Sequence, residues 1–256
     1  MLINYPAAPL YRQPYDTELD DEAWYGQRAD IIADMGEFCR VRMEYGYESC
    51  IRRRYLADKE YQNAPVTVMF PFGDVREEPS VKSAMLLTLP RGAKTEPIGE
   101  NEGWTKIRLI DGREGYIFAK AVGIQKNGQL SEDEIRNNIV NTAMEYLGVP
   151  YRWGGRTPAG VDCSGLCHSA YLLNGIAIYR NASSQPGYPV HRISYACAEA
   201  GDLLYFPGHM AMYLGDGRYI HATAREGRVC INSLEQDSPL YREDLADAFI
   251  CAGSVF

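Results

Sequence analysis

The sequence has few features of an exported or membrane-anchored protein. Its first residues, MLINYPAAPLYRQPY, contain no basic start followed by a long apolar run, which argues against a signal peptide. No apolar run approaches the roughly 20 residues that a membrane-spanning helix requires. We therefore expect a cytoplasmic protein, although a secreted chain whose leader had been removed would show the same pattern.

Positive charge is also scarce. The chain of 256 residues carries 26 lysine and arginine residues against 34 aspartate and glutamate residues, a formal net charge of −8. The one basic cluster, Arg52-Arg53-Arg54, is typical of a solvated strand end. Nucleic acids and anionic membranes are therefore not expected as partners, because nothing in the sequence would neutralise rows of phosphates.

Cysteine is present, but not as a disulfide framework. Seven cysteines, an odd number, are spread from Cys39 to Cys251 without dense spacing. In a chain of this length, that pattern predicts reduced thiols. Apolar residues make up 46% of the chain, which is enough for one large domain or for two or three small ones.

The first half of the chain contains an internal repeat. GEFCRVRMEYGYESCI (36–51) aligns without gaps onto EGWTKIRLIDGREGYI (102–117). Phe38 is matched by Trp104, and each copy has a glycine between two stretches of alternating apolar and polar residues. This alternation predicts a strand, a glycine turn and a second strand in each copy.

The second half begins with a predicted linker and helix. QKNGQLSEDE (125–134) is polar and leads into a helix, with Ser131 and Glu134 at the spacing of a capping box. Gly148 and Pro150 are expected to end this helix. Its apolar stripe consists of Ile135, Ile139, Ala143 and Leu147.

A second helix and a series of strands complete the chain. Apolar periodicity from Leu166 to Leu173, ended by Gly175, predicts the helix. The segments DLLYF, HMAMYLG, GRYIHAT and RVCINS then predict consecutive antiparallel strands. Residues 125–256 are therefore expected to form an α+β domain.

Two cysteines four residues apart lie in VDCSGLCHSAYLLNGI (161–176). A structural zinc site is disfavoured, because no second cysteine or histidine pair at ligand spacing follows. A disulfide between Cys163 and Cys167 is also disfavoured, because the Cβ atoms of helical residues four apart do not face each other. A nucleophilic Cys163 remains, with Cys167 one turn deeper as a small core residue.

Several features favour Cys163 as a nucleophile. It follows Asp162 where the helix should begin, and the positive end of the helix dipole should lower the thiol pKa and favour thiolate. The small residues Ser164 and Gly165 would let a substrate carbonyl approach the backbone N–H groups, as an oxyanion hole requires.

The thiol would need a base from among four histidines. His209 and His221 lie on consecutive predicted strands, and a hairpin would place both side chains on one face. His209 would then accept the thiol proton, and His221 would hold its ring in the useful tautomer. His168 and His191 are expected to be solvated.

The motifs YRWGG, DCSGL, AGDLLYF and HMAMYLGDGRYIHAT, in this order and spacing, resemble those of the NlpC family of papain-like cysteine peptidases. The resemblance implies a Cys-His-His triad formed by Cys163, His209 and His221, and an activity that cleaves murein stem peptides. Tyr151 matches the family tyrosine whose hydroxyl reaches the active site, and core packing is the alternative. Neither a cofactor nor a metal is implied.

Two further stretches resemble bacterial SH3-like domains, which are small all-β barrels that bind cell wall or frame an active site. One runs from Val66 to about Gly123 and matches on DVREEPS, LPRGAKTEPIGENEGWTKIRL and GREGYI. The other, more divergent, keeps APLY, TELDDEAWYG and GYESCI. The expected architecture is therefore two SH3-like domains (1–60 and 65–124) before an NlpC-type papain-like α+β domain (125–256).

This arrangement resembles the γ-D-glutamyl-L-diamino-acid dipeptidyl peptidases. The resemblance implies cleavage of the bond between γ-D-Glu and Lys or diaminopimelate in murein peptides with a free amino-terminal L-Ala. By position, Glu18 and Tyr47 match the acidic residue and tyrosine that close one end of the groove. Asp162 and Ser164 match residues that contact the substrate amine and the D-Glu carboxylate, and Asp162 would also serve as a helix N-cap.

The sequence departs from this family pattern in two places. Tyr179-Arg180-Asn181 stands where Pro-Arg-Asp is usual, and Cys50 stands in place of an aromatic residue. These departures concern the residues expected to bind the D-Glu of the substrate, whereas the catalytic Cys-His-His set matches the family pattern. The alternatives are an endo-acting hydrolase of intact murein and a wall-binding protein, and a complete Cys-His-His set argues against the second.

Overall fold

The computed structural model describes residues 1–124 and 130–256. The chain divides into two compact units, residues 1–126 and 127–256. The linker predicted at 125–134 begins outside the described residues. The division of the first unit into two domains stays a prediction, because the two halves of this unit share core side chains.

The first half of the N-terminal unit is all β. One sheet has five antiparallel strands in the order β3-β2-β6-β5-β4, and a separate two-stranded sheet pairs β1 with β7. The bounds are β1 (Leu2–Ile3), β2 (Ala7–Tyr11), β3 (Asp21–Trp24), β4 (Ala29–Met35), β5 (Phe38–Met43), β6 (Glu48–Arg52) and β7 (Leu56–Ala57).

The second half of this unit is a seven-stranded sheet in the order β10-β9-β13-β12-β11-β8-β14. A short 3₁₀ turn precedes the last strand of each half. The bounds are β8 (Val66–Val68), β9 (Phe72–Arg76), β10 (Met85–Pro90), β11 (Lys94–Asn101), β12 (Trp104–Arg108), β13 (Glu114–Phe118) and β14 (Val122–Gly123).

The predicted repeat is confirmed, including its strand register. Phe38 pairs with Arg52 in the β5–β6 hairpin, and Trp104 pairs with Phe118 in the β12–β13 hairpin. The central glycines have φ of 85° and 90°, in the left-handed region that favours glycine. Each copy therefore encodes the same hairpin in the same register.

Side chains join the two halves of the N-terminal unit. The Ile110 backbone N–H donates to the hydroxyl of Tyr25 at 2.6 Å, and both residues are buried in one apolar cluster. Lys94 Nζ lies 2.7 Å from Glu44 Oε1. The halves therefore form one unit.

The second unit combines helices with a six-stranded antiparallel sheet in the order β17-β22-β18-β19-β20-β21. The helices are α1 (Glu132–Met144), α2 (Cys163–Leu173) and α3 (Glu243–Asp247). Among the described residues, no helix has the length and apolar character needed to cross a membrane. The strands are β15 (Arg156–Thr157), β16 (Gly160–Val161), β17 (His191–Ile193), β18 (Leu203–Phe206), β19 (His209–Gly215), β20 (Arg218–Thr223), β21 (Arg228–Ser233) and β22 (Cys251–Ser254).

Helix α1 begins as predicted and ends earlier than predicted. Ser131 is the N-cap, and the capping box with Glu134 is complete. The helix ends at Met144, three residues before the predicted end of its apolar stripe, and Leu147 is 49% exposed. Leu147 instead lies in a turn that closes on Met144.

Helix α2 is the element that positions the candidate site. It packs against β19 and β20 through fully buried side chains, including Leu166, Ala170 and Tyr171. Burial of a side chain of this size contributes about 1.5–3 kcal/mol, which fixes the helix on the sheet. The amino-terminal end of α2 is thereby held near the start of β19.

Candidate active site

The first turn of α2 holds Cys163. Asp162 is the N-cap, with extended backbone angles, and its Oδ1 accepts a hydrogen bond from the Gly165 N–H at 2.5 Å. This satisfies one of the donors that a helix start leaves without an intrahelical partner. Cys163 is the first helical residue and is 7% exposed. The predicted N-cap and helix start are confirmed.

A buried arginine completes the surroundings of Asp162. Arg180 Nη1 and Nη2 each lie 3.1 Å from one carboxylate oxygen, and the arginine side chain is 0% exposed. Gly154 N–H donates to Oδ2 at 2.8 Å, and the Ser164 hydroxyl donates to Oδ1 at 3.1 Å. Asp162 is therefore a hydrogen-bonded partner of a cation, as a buried carboxylate requires.

The expected thiolate is not favoured by this environment. Burial raises the pKa of the Cys163 thiol to about 11, and the Asp162 carboxylate raises it further. The backbone N–H groups of Met210 and Ser164, with the Arg180 charge, oppose this increase. The prediction from the helix dipole alone was wrong, because desolvation outweighs the first-turn donors. The thiol therefore depends on a base.

Gly165 has a different reason for its small size than predicted. A Cβ at this position would lie 2.2 Å from the Gly155 carbonyl oxygen and 3.0 Å from Asp162 Oδ1. Its N–H already donates to Asp162. Gly165 thus permits close packing against the loop that precedes the helix, and the N–H groups directed at the sulfur belong to Ser164 and Met210.

The two strand histidines meet as predicted. The rings of His209 on β19 and His221 on β20 are joined by a hydrogen bond of 2.8 Å between Nε2 and Nδ1. His221 Nε2 lies 2.9 Å from Oδ1 of Asn232 on β21. The Cys163 sulfur accepts a hydrogen bond from the backbone N–H of Met210, the neighbour of His209 on the same strand. A row of polar side chains therefore runs across three strands toward the thiol.

Burial keeps both histidines neutral. Desolvation lowers the pKa of His209 to about 4, and the nearby Arg242 charge contributes to the decrease. Desolvation also lowers the pKa of His221 to about 3, against the hydrogen bond to Asn232, which raises it. A neutral imidazole is the form that can accept a proton.

Tyr151 lies close to the thiol. It is partly buried, and burial together with the charges of Cys163 and Asp162 raises its pKa to about 12. The hydroxyl therefore keeps its proton and can donate a hydrogen bond into the site. Tyr151 also packs against the main apolar cluster of this unit, so both predicted roles are compatible with its position.

In the N-terminal unit, Tyr47 lies beside the buried Asp20. The buried Tyr47 hydroxyl donates to Asp20 Oδ2 at 3.0 Å, and Arg12 Nε donates to Asp20 Oδ1 at 3.1 Å. Glu18 is exposed and lies within electrostatic range of Arg12. A role for Glu18 and Tyr47 in substrate binding stays a prediction.

One of the two remaining histidines is not where it was expected. His168 is 0% exposed, and its Nδ1 lies 3.0 Å from Nη1 of Arg156, which is also fully buried. Because arginine only donates, Nδ1 is the accepting nitrogen and the ring is neutral. The prediction that His168 is solvated was wrong, and its role is structural. His191 is exposed, as predicted.

Two polar residues of the site had no role predicted from the sequence. Arg180 follows α2 within an irregular segment. No periodic pattern relates it to Asp162, which lies 18 residues earlier, so their contact could not be predicted from the spacing. The position of Asn232 beside His221, in contrast, could have been inferred from the sequence. Asn232 lies two residues after Cys230, which pairs with His221, and so falls on the same face of the sheet as the histidine.

The arrangement can carry out nucleophilic chemistry. A thiol at a helix start, a neutral imidazole on the adjoining strand and a second imidazole bonded to the first form a nucleophile, a base and an orienting group. Within residues 1–124 and 130–256, no group of three or more His, Cys, Asp and Glu side chains is suited to hold a metal ion.

Comparison with known proteins agrees with this arrangement. The NlpC/P60 family matches residues 148–245, and the bacterial SH3 domain matches residues 72–123. The chain is 38% identical to Dipeptidyl-peptidase 6 of Lysinibacillus sphaericus, and the match covers 97% of both chains. It is 27% identical to the Gamma-D-glutamyl-L-lysine dipeptidyl-peptidase of Bacillus cereus, over 90% of this chain and 74% of that one.

A solved structure shares the fold. The crystal structure of an NlpC/P60 family protein from Bacillus cereus superposes with a TM-score of 0.81 at 22% identity, and the match covers 98% of this chain and 97% of that one. The expected α+β architecture, with an SH3-like domain ahead of the papain-like NlpC domain, is confirmed. The chain belongs to the NlpC/P60 family and is a cysteine peptidase.

Proposed function

We propose that this peptidase cleaves the bond between γ-D-Glu and the diamino acid of murein peptides that have a free amino-terminal L-Ala, releasing L-Ala-γ-D-Glu. The observation that carries the proposal is the full-length similarity to Dipeptidyl-peptidase 6. Two relatives named Gamma-D-glutamyl-L-lysine dipeptidyl-peptidase support it. In all three, the match includes the N-terminal unit as well as the peptidase unit.

In the proposed mechanism, His209 takes the proton of the Cys163 thiol as the sulfur attacks the γ-carbonyl carbon of D-Glu. The His209 Nε2 bond to His221 leaves Nδ1 as the nitrogen for this transfer. The tetrahedral intermediate then collapses to a thioester, and His209 returns the proton to the leaving amine. Water, activated by the same ring, hydrolyses the thioester and releases the dipeptide.

Burial raises the pKa of the Cys163 thiol and lowers the pKa of His209, so desolvation favours the neutral thiol and imidazole at rest. A buried thiolate and imidazolium would both be desolvated, whereas the thiol and imidazole have no net charge to desolvate. We infer that proton transfer accompanies attack on the carbonyl. The Ser164 and Met210 N–H groups would stabilise negative charge at the sulfur during this step.

Two unpaired carboxylates at one end of the groove would repel each other and would therefore favour a substrate with a free ammonium group. Asp162 would have provided such repulsion, but Arg180 already pairs with it. The proposal instead rests on the relatives, whose names describe release of dipeptides. Glu18, Tyr47, Asp162 and Ser164 stay the proposed contacts of the substrate.

The test compares L-Ala-γ-D-Glu-L-Lys, its diaminopimelate counterpart and the N-acetylated form of each. Mass spectrometry should show L-Ala-γ-D-Glu as a product, and acetylation should lower kcat/KM by roughly ten- to a hundredfold, the effect of losing one charge-assisted contact. Equal kcat/KM for free and acetylated peptides would contradict the exo-acting preference. Release of soluble fragments from intact murein at a comparable rate would support an endo-acting hydrolase.

We also propose a cytoplasmic location, in which the enzyme acts on murein peptides during recycling. The exposed thiol of Cys197 is free, as expected in a reducing compartment. Fractionation of cells that produce the protein at native level tests this, and recovery from the medium or the envelope would contradict it.

A further inference from the structure

The side-chain amide of Asn232 has an orientation fixed by the backbone. Its Nδ2 donates to the Leu240 carbonyl oxygen at 3.2 Å, and a carbonyl can only accept a hydrogen bond. The opposite orientation would place two oxygens against each other. Oδ1 therefore faces the other way, where the Cys230 thiol lies 3.5 Å away and His221 Nε2 lies 2.9 Å away.

This orientation determines which ring nitrogen of each histidine carries the proton. Because Asn232 Oδ1 only accepts, Nε2 of His221 must be protonated and, in the neutral ring, its Nδ1 is an acceptor. The bond of 2.8 Å from His209 Nε2 to that Nδ1 then requires a proton on His209 Nε2. The neutral His209 ring is left with Nδ1 as its only basic nitrogen.

We propose that Asn232 is a positioning residue that, through His221, holds His209 in the tautomer whose Nδ1 accepts the Cys163 proton. The chain of observed hydrogen bonds starts at the Leu240 carbonyl and ends at the His209 ring, whose Nδ1 is the nitrogen proposed to take the thiol proton. Each member has one donor and one acceptor direction, so reversing the first reverses all the others. The inference rests on the proposed role of His209 as the base.

The segment that carries Leu240 is held against β21 independently of the histidines. The Ser233 N–H donates to the Leu240 carbonyl at 2.9 Å, and the Arg242 N–H donates to the Ser233 carbonyl at 3.0 Å. The Ser233 hydroxyl accepts from the Glu235 N–H at 3.0 Å. The Leu240 carbonyl is thus a rigid reference for the amide of Asn232.

Several charged or titratable groups surround the two imidazoles. Arg242 lies within electrostatic range of both rings, and its Nε and Nη2 each lie 2.7 Å from Asp244. Tyr219 forms an edge contact with His221 at 5.0 Å between ring centroids. The Asp162 charge acts on His209, and Cys230 approaches Asn232. Of these groups, Cys230 hydrogen-bonds to the row itself, because its thiol donates to Asn232 Oδ1 at 3.5 Å.

The experiment uses three variants of the full chain. Asn232→Leu keeps the size of the side chain and removes the acceptor, whereas Asn232→Asp keeps an acceptor toward His221. Ser233→Ala is the matched control, because it weakens the same strand and loop without touching either histidine. Melting temperatures of all three are recorded, so that loss of fold is distinguished from loss of activity.

Three readouts separate positioning from structural support. We expect Asn232→Leu to lower kcat about 10- to 100-fold with little change in KM, and to slow alkylation of Cys163 by iodoacetamide. Imposing a wrong tautomer on a catalytic histidine can cost up to about 10⁴-fold. Asn232→Asp should retain most of the kcat that the leucine variant loses, and Ser233→Ala should retain wild-type kcat even if its melting temperature falls.

The third readout is the tautomer itself, measured by ¹⁵N NMR of the histidine rings. The chain has four histidines, so their ring nitrogens can be assigned by substitution. In the wild type, His209 should be protonated at Nε2 and unprotonated at Nδ1, and Asn232→Leu should disturb that distribution. A wild-type His209 protonated at Nδ1, or a folded leucine variant with unchanged tautomer and kcat, would overturn the proposal.

The NMR result does not depend on the substrate. If the predicted murein tripeptide is not cleaved while the tautomer and the iodoacetamide rates behave as expected, the substrate proposal fails and the positioning role of Asn232 stands.

Discussion

Arg180 and Asp162 form a bidentate, buried ion pair at the first turn of the helix that carries Cys163, with both nitrogen–oxygen distances at 3.1 Å. The carboxylate is simultaneously the N-cap of that helix and an acceptor for the Gly154 N–H. One side chain therefore ties together the loop before the helix, the helix start and the segment after the helix. The position of the nucleophile depends on this pair.

Replacing Arg180 with methionine should be strongly destabilising. The variant keeps an apolar chain of similar length but leaves the Asp162 carboxylate buried without its cation, for which a loss of about 3–5 kcal/mol is expected. Urea denaturation of both proteins measures the difference. Arg113→Met is the matched control, because its ion pair with Asp111 is half exposed and should contribute less than about 1 kcal/mol.

The ion pair can be separated from the loss of side-chain volume by a double substitution. Asp162→Asn combined with Arg180→Met removes both charges, so the double variant should be less destabilised than the sum of the single variants. Strict additivity would show that the two charges do not interact in the folded protein.

Substitution of the two cysteines of α2 should have different effects, one on activity and the other on stability. Cys163→Ala should remove most hydrolysis, of order 10⁴-fold or more, because it deletes the proposed nucleophile. Cys167 is fully buried in the apolar cluster of the peptidase unit, so Cys167→Ala should lower stability and leave kcat close to wild type. Peptide turnover and melting temperature are measured for both. The opposite pattern would place the nucleophile at Cys167.

Stability should decline as the pH falls below about 6.5. The pKa values of His209 and His221 are lowered by burial to about 4 and about 3, so the unfolded chain binds protons first as the pH falls. By linkage, the stability present above pH 6.5 is progressively lost as the pH falls through these lower values. Urea denaturation across the pH range checks this, and His209→Gln, which does not titrate, should show a shallower decrease.

Stability should also decline as the pH rises above about 9. Burial raises the pKa of Cys163 to about 11, above the value of 9.0 for an ordinary thiol, so its contribution is present below pH 9 and is lost between about pH 9 and 11. Cys163→Ser should lack this part of the profile. An identical alkaline decrease in both proteins would assign it to other groups.

The sequence predicted the local structure of the site better than its electrostatics. Capping at Ser131 and Asp162, the repeated hairpins and the meeting of His209 with His221 all follow from short-range patterns and strand register. The contact between Arg180 and Asp162 depends on how an irregular segment folds back, which no periodicity encodes. The thiol pKa depends on burial in three dimensions. The helix dipole alone predicted a lowered pKa for Cys163, whereas burial raises it.

Gly165→Ala should damage the protein even though alanine is the better helix former. In a free helix the change would be favourable by about 1 kcal/mol. Here the new Cβ would lie 2.2 Å from the Gly155 carbonyl oxygen, and the neighbouring atom is backbone and cannot rotate away. We expect loss of both melting temperature and kcat.

The control for this substitution is Gly99→Ala. A Cβ at Gly99 would meet nothing nearer than Lys106 Cβ at 3.8 Å, and its φ is not in the left-handed region. Gly99→Ala should therefore change neither property noticeably. An active, stable Gly165→Ala variant would show that the first turn of α2 can move away from the loop.

The substitutions of His221 test whether it orients His209 or transfers a proton itself. In His221→Gln, the amide oxygen can accept from His209 Nε2 while the amide nitrogen donates to Asn232 Oδ1, which reproduces the directions of both observed bonds. We expect this variant to keep measurable turnover, whereas His221→Ala should lose about 10²- to 10⁴-fold in kcat. Steady-state kinetics measure both, and His191→Gln is the control, because His191 is exposed and should tolerate the change. An amide cannot act as a base at neutral pH, so equal and complete loss in the Gln and Ala variants would mean that His221 transfers the proton itself.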